Sequence, residues 1–203
     1  MIRRTRIVAG YCLLTLFALF LSTPMFAADL PHIVLLATGG TIAGAGKSAR
    51  EAGYKPSALP VEKLVTAVPE IASFARLSGE QVSQVDSQAM TTTIWLKLAN
   101  RINALLADRD VDGIVVTHGT DTLEETAYFL HLTVKSRKPV VVTGSMRAST
   151  SMSADGPMNL FNAVSVAASP LSHGKGVLVV LNDRIHSARE VTKTSTTAVD
   201  TFQ

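Results

Sequence analysis

The sequence is short of cysteine and short of unpaired charge, and both shortages exclude classes of protein. Among its 203 residues there is one cysteine, Cys12, in a stretch that we interpret below as a removable leader. The mature chain would then have no disulfide, no cysteine-based metal site and no catalytic thiol. Lysine and arginine exceed aspartate and glutamate by 19 to 16, but Arg3, Arg4 and Arg6 account for the whole excess. The rest of the chain has no net charge and no run of basic residues, which argues against nucleic-acid binding.

The first 28 residues have the pattern of a secretory signal peptide. Residues 3–6 carry positive charge, residues 7–21 are largely apolar, and residues 27–28 are small alanines. The apolar stretch is shorter than the roughly 20 residues that a membrane span needs. Neither alanine gives an ideal cleavage sequence, so an uncleaved membrane anchor stays open as the alternative. We expect an exported protein, free of the membrane after cleavage, whose folded domain covers residues 29–203.

Apolar runs alternate with helical patterns along that domain. Of all residues in the sequence, 47% are hydrophobic. The runs that fit buried strands are residues 32–37, 113–117, 139–143 and 176–181. Apolar residues recur at helical spacing in residues 61–68, 94–106, 123–134 and 160–167. Thr122 and Glu125 have capping-box spacing at the start of the third helix. The alternation predicts an α/β fold with a parallel-rich, doubly wound sheet and helices on both faces.

Polar residues follow directly after the predicted strands. Thr41 lies in a glycine-flanked turn after the first strand, and residues 117–122 follow the second, while Lys193 comes after the last. In open α/β sheets, ligands bind beyond the carboxyl ends of the strands, so these groups are expected to converge. No set of histidine, aspartate and glutamate has metal-ligand spacing. The sequence therefore predicts neither a metal nor another cofactor.

The first loop also holds two partial nucleotide-binding patterns. The stretch Gly46-Lys47-Ser48 ends like a P-loop, but Thr41 occupies the place of the required earlier glycine. Gly44, Gly46 and Ala49 fit a relaxed dinucleotide fingerprint, which begins too far beyond the end of the strand. A nucleotide-binding protein is thus an alternative that fits poorly, and a failure to bind ATP or NAD would exclude it.

Two longer motifs follow the first and second predicted strands, TGGTIAG at residues 38–44 and HGTDT at residues 118–122. Both resemble the signatures of bacterial L-asparaginases. The resemblance runs from Leu30 to Gln203 and includes residues 124–130, 146–160 and 191–194. Together with the signal peptide, these motifs make the chain similar to the exported type II branch of the family. This resemblance implies a periplasmic location. Ser145 and Ala148 stand where the family often has alanine and proline, which affects packing rather than chemistry.

The resemblance implies that L-asparagine is hydrolysed to L-aspartate and ammonia through a threonine acyl-enzyme. Thr41 would attack the amide carbonyl, and Tyr54 on a mobile loop would help to remove its proton, because a threonine hydroxyl is a poor nucleophile alone. Thr120, Asp121 and Lys193 would form a second catalytic group. Whether Lys193 acts as a base or only orients Thr120 is left open.

The resemblance also implies the substrate-binding residues, namely Gly40, Ser87, Gln88, Thr120 and Asp121. Ser87 and Gln88 would hold the α-carboxylate and Asp121 the ammonium group, although Asp121 could also be a plain helix cap. Gln88 favours asparagine, because relatives with strong glutaminase activity tend to carry glutamate there; a dual glutaminase-asparaginase is the alternative. We expect His118 to be structural, with a hydrogen bond that fixes its tautomer.

Family members carry a smaller C-terminal domain and assemble as homotetramers in which a neighbouring subunit supplies an acidic residue to the site. The resemblance implies that both features would lie beyond Gln203. We therefore expect the 203-residue chain alone to turn over little asparagine. A catalytically inactive module that binds small amino acids is a further alternative, which Thr41→Val would distinguish because only an enzyme would lose turnover.

Overall fold

The computed structural model describes residues 29–46 and 53–203. The main strands are β1 (His32–Gly39), β4 (Arg76–Val85), β5 (Gly113–Thr117), β6 (Val140–Thr143), β7 (Val177–Leu181) and β8 (Arg184–Ser187). They form one sheet in the order β4-β1-β5-β6-β7-β8, parallel except for the β7–β8 pair. Two short strands, β2 (Ala45–Gly46) and β3 (Tyr54–Lys55), pair separately as an antiparallel hairpin. The predicted signal peptide and the residues Lys47, Ser48 and Ala49 lie outside the described residues.

The helices are α1 (Val61–Thr66), α2 (Thr92–Ala107), α3 (Leu123–Thr133) and α4 (Gly156–Ala168). Short 3₁₀ turns cover Thr41–Ala43, Pro69–Ser73, Ser87–Ala89, Thr120–Thr122 and Pro170–Ser172. The predicted capping box at the start of α3 is wrong. The Thr122 hydroxyl donates to the carbonyl of Ser87 at 2.8 Å and makes no cap bond to its own helix. Within the described part of the chain, no helix is long and apolar enough to cross a membrane.

The sheet is covered on both faces, as the sequence predicts. Side chains of a strand alternate between its faces, so Ile114 and Val116 of β5 pack in the core under α2 and α3, while Val115 packs in the core under α1 and α4. All residues of β5 are buried, because the strand is central and covered on both sides. This cover leaves the carboxyl ends of the strands as the natural place for a site.

Both edges of the sheet carry a strand that the apolar runs did not predict. Strand β4 is polar and only partly buried, and it pairs in parallel with β1 at the outer edge. Strand β8 returns from β7 through Asn182 and Asp183, whose φ angles are 49° and 60°. Two left-handed residues between antiparallel strands form the tight hairpin that asparagine and aspartate favour.

Candidate active site

The turns after β1 and β5 touch each other at their glycines. Gly40 has a φ of 80°, and a Cβ added to it would lie 2.3 Å from the Cα of Gly119. The backbone therefore approaches more closely than any side chain would allow. This contact brings together the two segments that carry Thr41 and Thr120, which are far apart in the sequence.

Thr41 and Tyr54 form a hydrogen-bonded pair. The distance from Thr41 Oγ1 to the Tyr54 hydroxyl is 2.8 Å. Tyr54 is 40% exposed, and its ring lies against Gly44, where an added Cβ would come within 2.8 Å of the ring. The Gly44 carbonyl accepts from the Ser149 hydroxyl at 2.6 Å, so the hairpin that carries the tyrosine is tied to the loop after β6.

Thr120, Asp121 and Lys193 form a second polar group one strand away. The Lys193 ammonium donates to Thr120 Oγ1 at 2.9 Å and to an Asp121 carboxylate oxygen at 2.6 Å. The other Asp121 oxygen accepts from the Gln88 amide at 2.9 Å. The hydrogen bond from Lys193, followed by the one from Gln88, lowers the pKa of Asp121 below its ordinary value. Asp121 is therefore a charge-paired carboxylate at neutral pH.

Ser87 and Gln88 reach the site from the end of β4. The Asp86 carboxylate accepts the Ser87 backbone N–H at 2.9 Å and starts the 3₁₀ turn there. Ser87 is buried against Gly119, where an added Cβ would be 2.7 Å from the serine side chain. The possible role of Asp121 as a helix cap finds no support, because its carboxylate bonds side chains from two other segments. The residues named from the sequence thus gather at one edge of the sheet.

His118 has the structural role expected from the sequence. Its Nδ1 lies 2.7 Å from the Gly119 carbonyl, which only accepts, so Nδ1 carries the proton. Nε2 then accepts from the Thr126 hydroxyl at 3.0 Å, and Thr126 accepts from the Trp95 indole N–H at 2.7 Å. Burial lowers the pKa of His118 to about 4, against an ordinary value of 6.5. The imidazole is therefore neutral and fixed in one tautomer.

Two supporting residues were missed by sequence reasoning. Buried Asn159 in α4 donates to the Gly144 carbonyl at 3.0 Å and accepts the Asn182 N–H at 2.9 Å, so it joins the ends of β6 and β7. Ser57 contacts Gly40 next to Thr41. Asn159 lies within residues 146–160, which resemble the family, and that resemblance could have pointed to it. No sequence pattern pointed to Ser57, because its role depends on a left-handed backbone conformation.

No cluster of three or more potential metal ligands occurs among the residues that the structure describes. The site brings together two hydroxyl groups, a phenol, an ammonium and a carboxylate. Such a set can activate a hydroxyl nucleophile and hold a zwitterionic ligand. Fold and site together define an α/β domain whose polar side chains gather beyond the carboxyl ends of its strands.

Comparison with known proteins names the family. The family described as "Asparaginase, N-terminal" matches residues 32–203, and the chain belongs to it. L-asparaginase 2 of Bacillus subtilis is 65% identical over 176 residues, covering 86% of this chain and 47% of the relative. A Haemophilus influenzae protein named probable L-asparaginase periplasmic is 56% identical, with 94% and 54% covered. Glutaminase-asparaginase of Pseudomonas fluorescens is 51% identical, with 86% and 48% covered.

The fold agrees with a solved relative. The crystal structure of a probable cytoplasmic L-asparaginase from Campylobacter jejuni matches with a TM-score of 0.82 and 51% identity, covering 85% of this chain and 53% of that one. This confirms the predicted fold class. The chain spans about half the length of the curated relatives it matches.

Proposed function

We propose that this chain is the N-terminal catalytic domain of an L-asparaginase, which hydrolyses L-asparagine to L-aspartate and ammonia with Thr41 as nucleophile. The observation that carries the proposal is the 2.8 Å hydrogen bond between Thr41 Oγ1 and the Tyr54 hydroxyl. It provides the acceptor that a threonine needs to become nucleophilic. The names of the relatives support the same reaction.

The reaction proceeds in two steps. The Thr41 oxygen bonds to the side-chain amide carbon of asparagine while its proton passes to the Tyr54 oxygen, and the phenol gives up its own proton to the amide nitrogen. The C–N bond then breaks and ammonia departs, leaving an ester between aspartate and Thr41. Water attacks this ester, and the Thr41 hydroxyl is restored as L-aspartate departs.

The second polar group holds the amino-acid end of the substrate. A carboxylate has about four acceptor sites, and Gln88 and Lys193 each use one on Asp121. The Asp121 side chain is 45% exposed, so a substrate ammonium can bind the remaining sites. Ser87 and Gln88 hold the α-carboxylate, and Lys193 orients the Thr120 hydroxyl. Gly40 forms part of the wall of the binding site beside Thr41. Its N–H does not bind the substrate, because it donates to Ser57 Oγ at 2.8 Å.

A dual glutaminase-asparaginase is the second candidate, favoured by the Pseudomonas relative of that name. A hydrophobic pocket discriminates one methylene by only about 1–3 kcal/mol, so both substrates fit the same mechanism. We further propose export to the periplasm, assembly as a homotetramer and a smaller C-terminal domain that completes the site. The relative named periplasmic supports the location, and the greater length of the relatives supports the further domain.

Replacing Thr41 tests the proposal. In the protein expressed from its complete reading frame, Thr41→Val keeps the side-chain shape and removes the attacking oxygen. Ammonia release from asparagine is expected to fall by at least about 10³-fold, because the covalent route is lost. Ammonia release from glutamine, measured in parallel, separates the two candidate functions. Undiminished turnover of asparagine by Thr41→Val would refute the assigned nucleophile.

A further inference from the structure

Ser57 has an unusual backbone conformation and lies between three parts of the site. Its φ is 55°, in the left-handed region that non-glycine residues seldom adopt, and it is nearly buried. It follows the strand that carries Tyr54 by two residues. A strained residue that persists in a buried place indicates that its surroundings fix it there.

Ser57 clamps the peptide that precedes the nucleophile. The Gly40 N–H donates to Ser57 Oγ at 2.8 Å, and the Ser57 N–H donates to the Gly40 carbonyl at 3.1 Å. Both backbone groups of Gly40 thus bond Ser57. Each also has a longer contact, from the N–H to the Val85 carbonyl at 3.3 Å and from the Ala43 N–H to the Gly40 carbonyl at 3.2 Å. Gly40 is joined to Thr41 by a single peptide bond, so these contacts restrict where the Thr41 hydroxyl lies.

The same serine connects this turn to the end of β4. Its hydroxyl donates to the Val85 carbonyl at 2.9 Å, and the Gln84 side chain donates to the Ser57 carbonyl at 2.6 Å. Val85 lies two residues before Ser87 in the proposed carboxylate-binding pair. The hydroxyl therefore bridges the nucleophile turn and the strand end that leads to the substrate-binding residues.

The hairpin that carries Tyr54 is held at its two ends by different partners. Ser149 and Thr150 bond Gly44 and Gly46 at the end that leaves Thr41. Ser57 anchors the other end, two residues after Lys55. Fixing both ends sets the separation between the Tyr54 hydroxyl and Thr41 Oγ1, which is 2.8 Å here.

We propose that Ser57 is a positioning residue for the reaction, because its hydroxyl locks the Gly40–Thr41 turn and the Tyr54 hairpin into one geometry. This inference rests on the proposed function of Thr41 and Tyr54. It adds a residue that does not contact the reacting atoms and acts through their alignment. A misplacement of about 1 Å in an active site lowers turnover by about 100-fold, so a lost clamp is measurable.

The test is Ser57→Gly in the protein expressed from its complete reading frame. Glycine accepts the left-handed backbone, so the variant removes the hydroxyl bridge without adding strain. The kcat for asparagine should fall by roughly 10- to 100-fold, with KM changed less than about twofold because the binding groups remain. The melting temperature should stay near that of the wild type. Ser57→Ala, which lacks the hydroxyl but keeps the Cβ, should lose kcat in the same way.

Asn182→Gly is the matched control. It makes the same kind of replacement at another left-handed residue, in the β7–β8 hairpin, and should leave kcat unchanged. Wild-type kcat in folded Ser57→Gly would overturn the positioning role, whereas an inactive wild type would overturn the proposed function instead.

In either case, hydrogen exchange of the Gly40 amide reports on the contacts of Ser57 themselves. The exchange should be several-fold faster in Ser57→Gly than in Asn182→Gly, and equal rates would refute the clamp.

Discussion

At the scale of single residues, the site separates the groups that we propose to react from a histidine with a structural role. His118 lies directly beside the Gly119–Thr120 segment and would be a natural choice of base. Its two nitrogens are both engaged, by the Gly119 carbonyl and by the Thr126 hydroxyl. Burial also makes the neutral form its stable state. It therefore helps to fix the turn that carries Thr120, and both of its ring nitrogens are occupied by structural partners.

This histidine should make the stability of the protein depend on pH. Burial lowers the pKa of His118 from 6.5 to about 4, so the unfolded chain binds a proton that the folded chain refuses at intermediate pH. Its stabilising contribution is present above pH 6.5 and is lost as pH falls towards the lower value. We expect the free energy of unfolding to drop by roughly 2 kcal/mol between about pH 7 and pH 5 from this residue alone.

Denaturant titrations of His118→Asn and His173→Asn check this expectation. The first variant cannot titrate at position 118 and should show a weaker pH dependence than the wild type, even though it is less stable throughout. His173 is exposed, so His173→Asn is the control for replacing a histidine outside the core. An equal slope for His118→Asn and wild type would show that the buried imidazole is protonated in the folded state.

At the scale of elements, helix α4 holds the strand ends in place. Its apolar residues Leu160, Ala163 and Val164 pack on one face of the sheet. Asn159 lies at the end of this surface and bonds the segments that follow β6 and β7. The Asp155 carboxylate also accepts the Met146 N–H at 3.0 Å. The loop after β6 is thus fixed by the start of the helix, and it in turn holds the base of the Tyr54 hairpin through Ser149.

Asn159→Leu should destabilise the protein by about 2–4 kcal/mol, because it leaves the Gly144 carbonyl and the Asn182 N–H without their partner. Asn162→Leu in the same helix is the control. That asparagine bonds Asp183 at an exposed position, so its loss should change stability by less than about 0.5 kcal/mol. Equal unfolding free energies for the two variants would remove the structural role of Asn159.

At the scale of the whole molecule, the sequence predicts the core better than its edges. Strands β5, β6 and β7 are rich in valine, isoleucine or leucine and are covered by helices on both faces, so their composition alone indicates them. Strand β4 was not predicted because an edge strand keeps polar residues on its exposed side. The capping box failed because the Thr122 hydroxyl found a tertiary partner, the Ser87 carbonyl. Local spacing could not foresee that contact.

The same contrast applies to the site. The glycine-flanked turns after β1 and β5, and the approach of Lys193 to them, could be predicted from strand ends, but the pairing of Lys193 with Thr120 could not, because the segment of Lys193 forms an isolated bridge to Phe202. Family resemblance, rather than periodicity, assigned Lys193 to Thr120, and the structure places these side chains 2.9 Å apart. Ser57 escaped both kinds of reasoning, since its contribution arises from its backbone angle.

The most direct measurement is the location of the covalent intermediate. The protein expressed from its complete reading frame is mixed with a slowly hydrolysed carboxamide substrate, quenched in acid and mapped by peptide mass spectrometry. We expect an aspartyl-type adduct on Thr41, absent from Thr41→Val. An adduct on another residue, such as Thr120, would contradict this expectation.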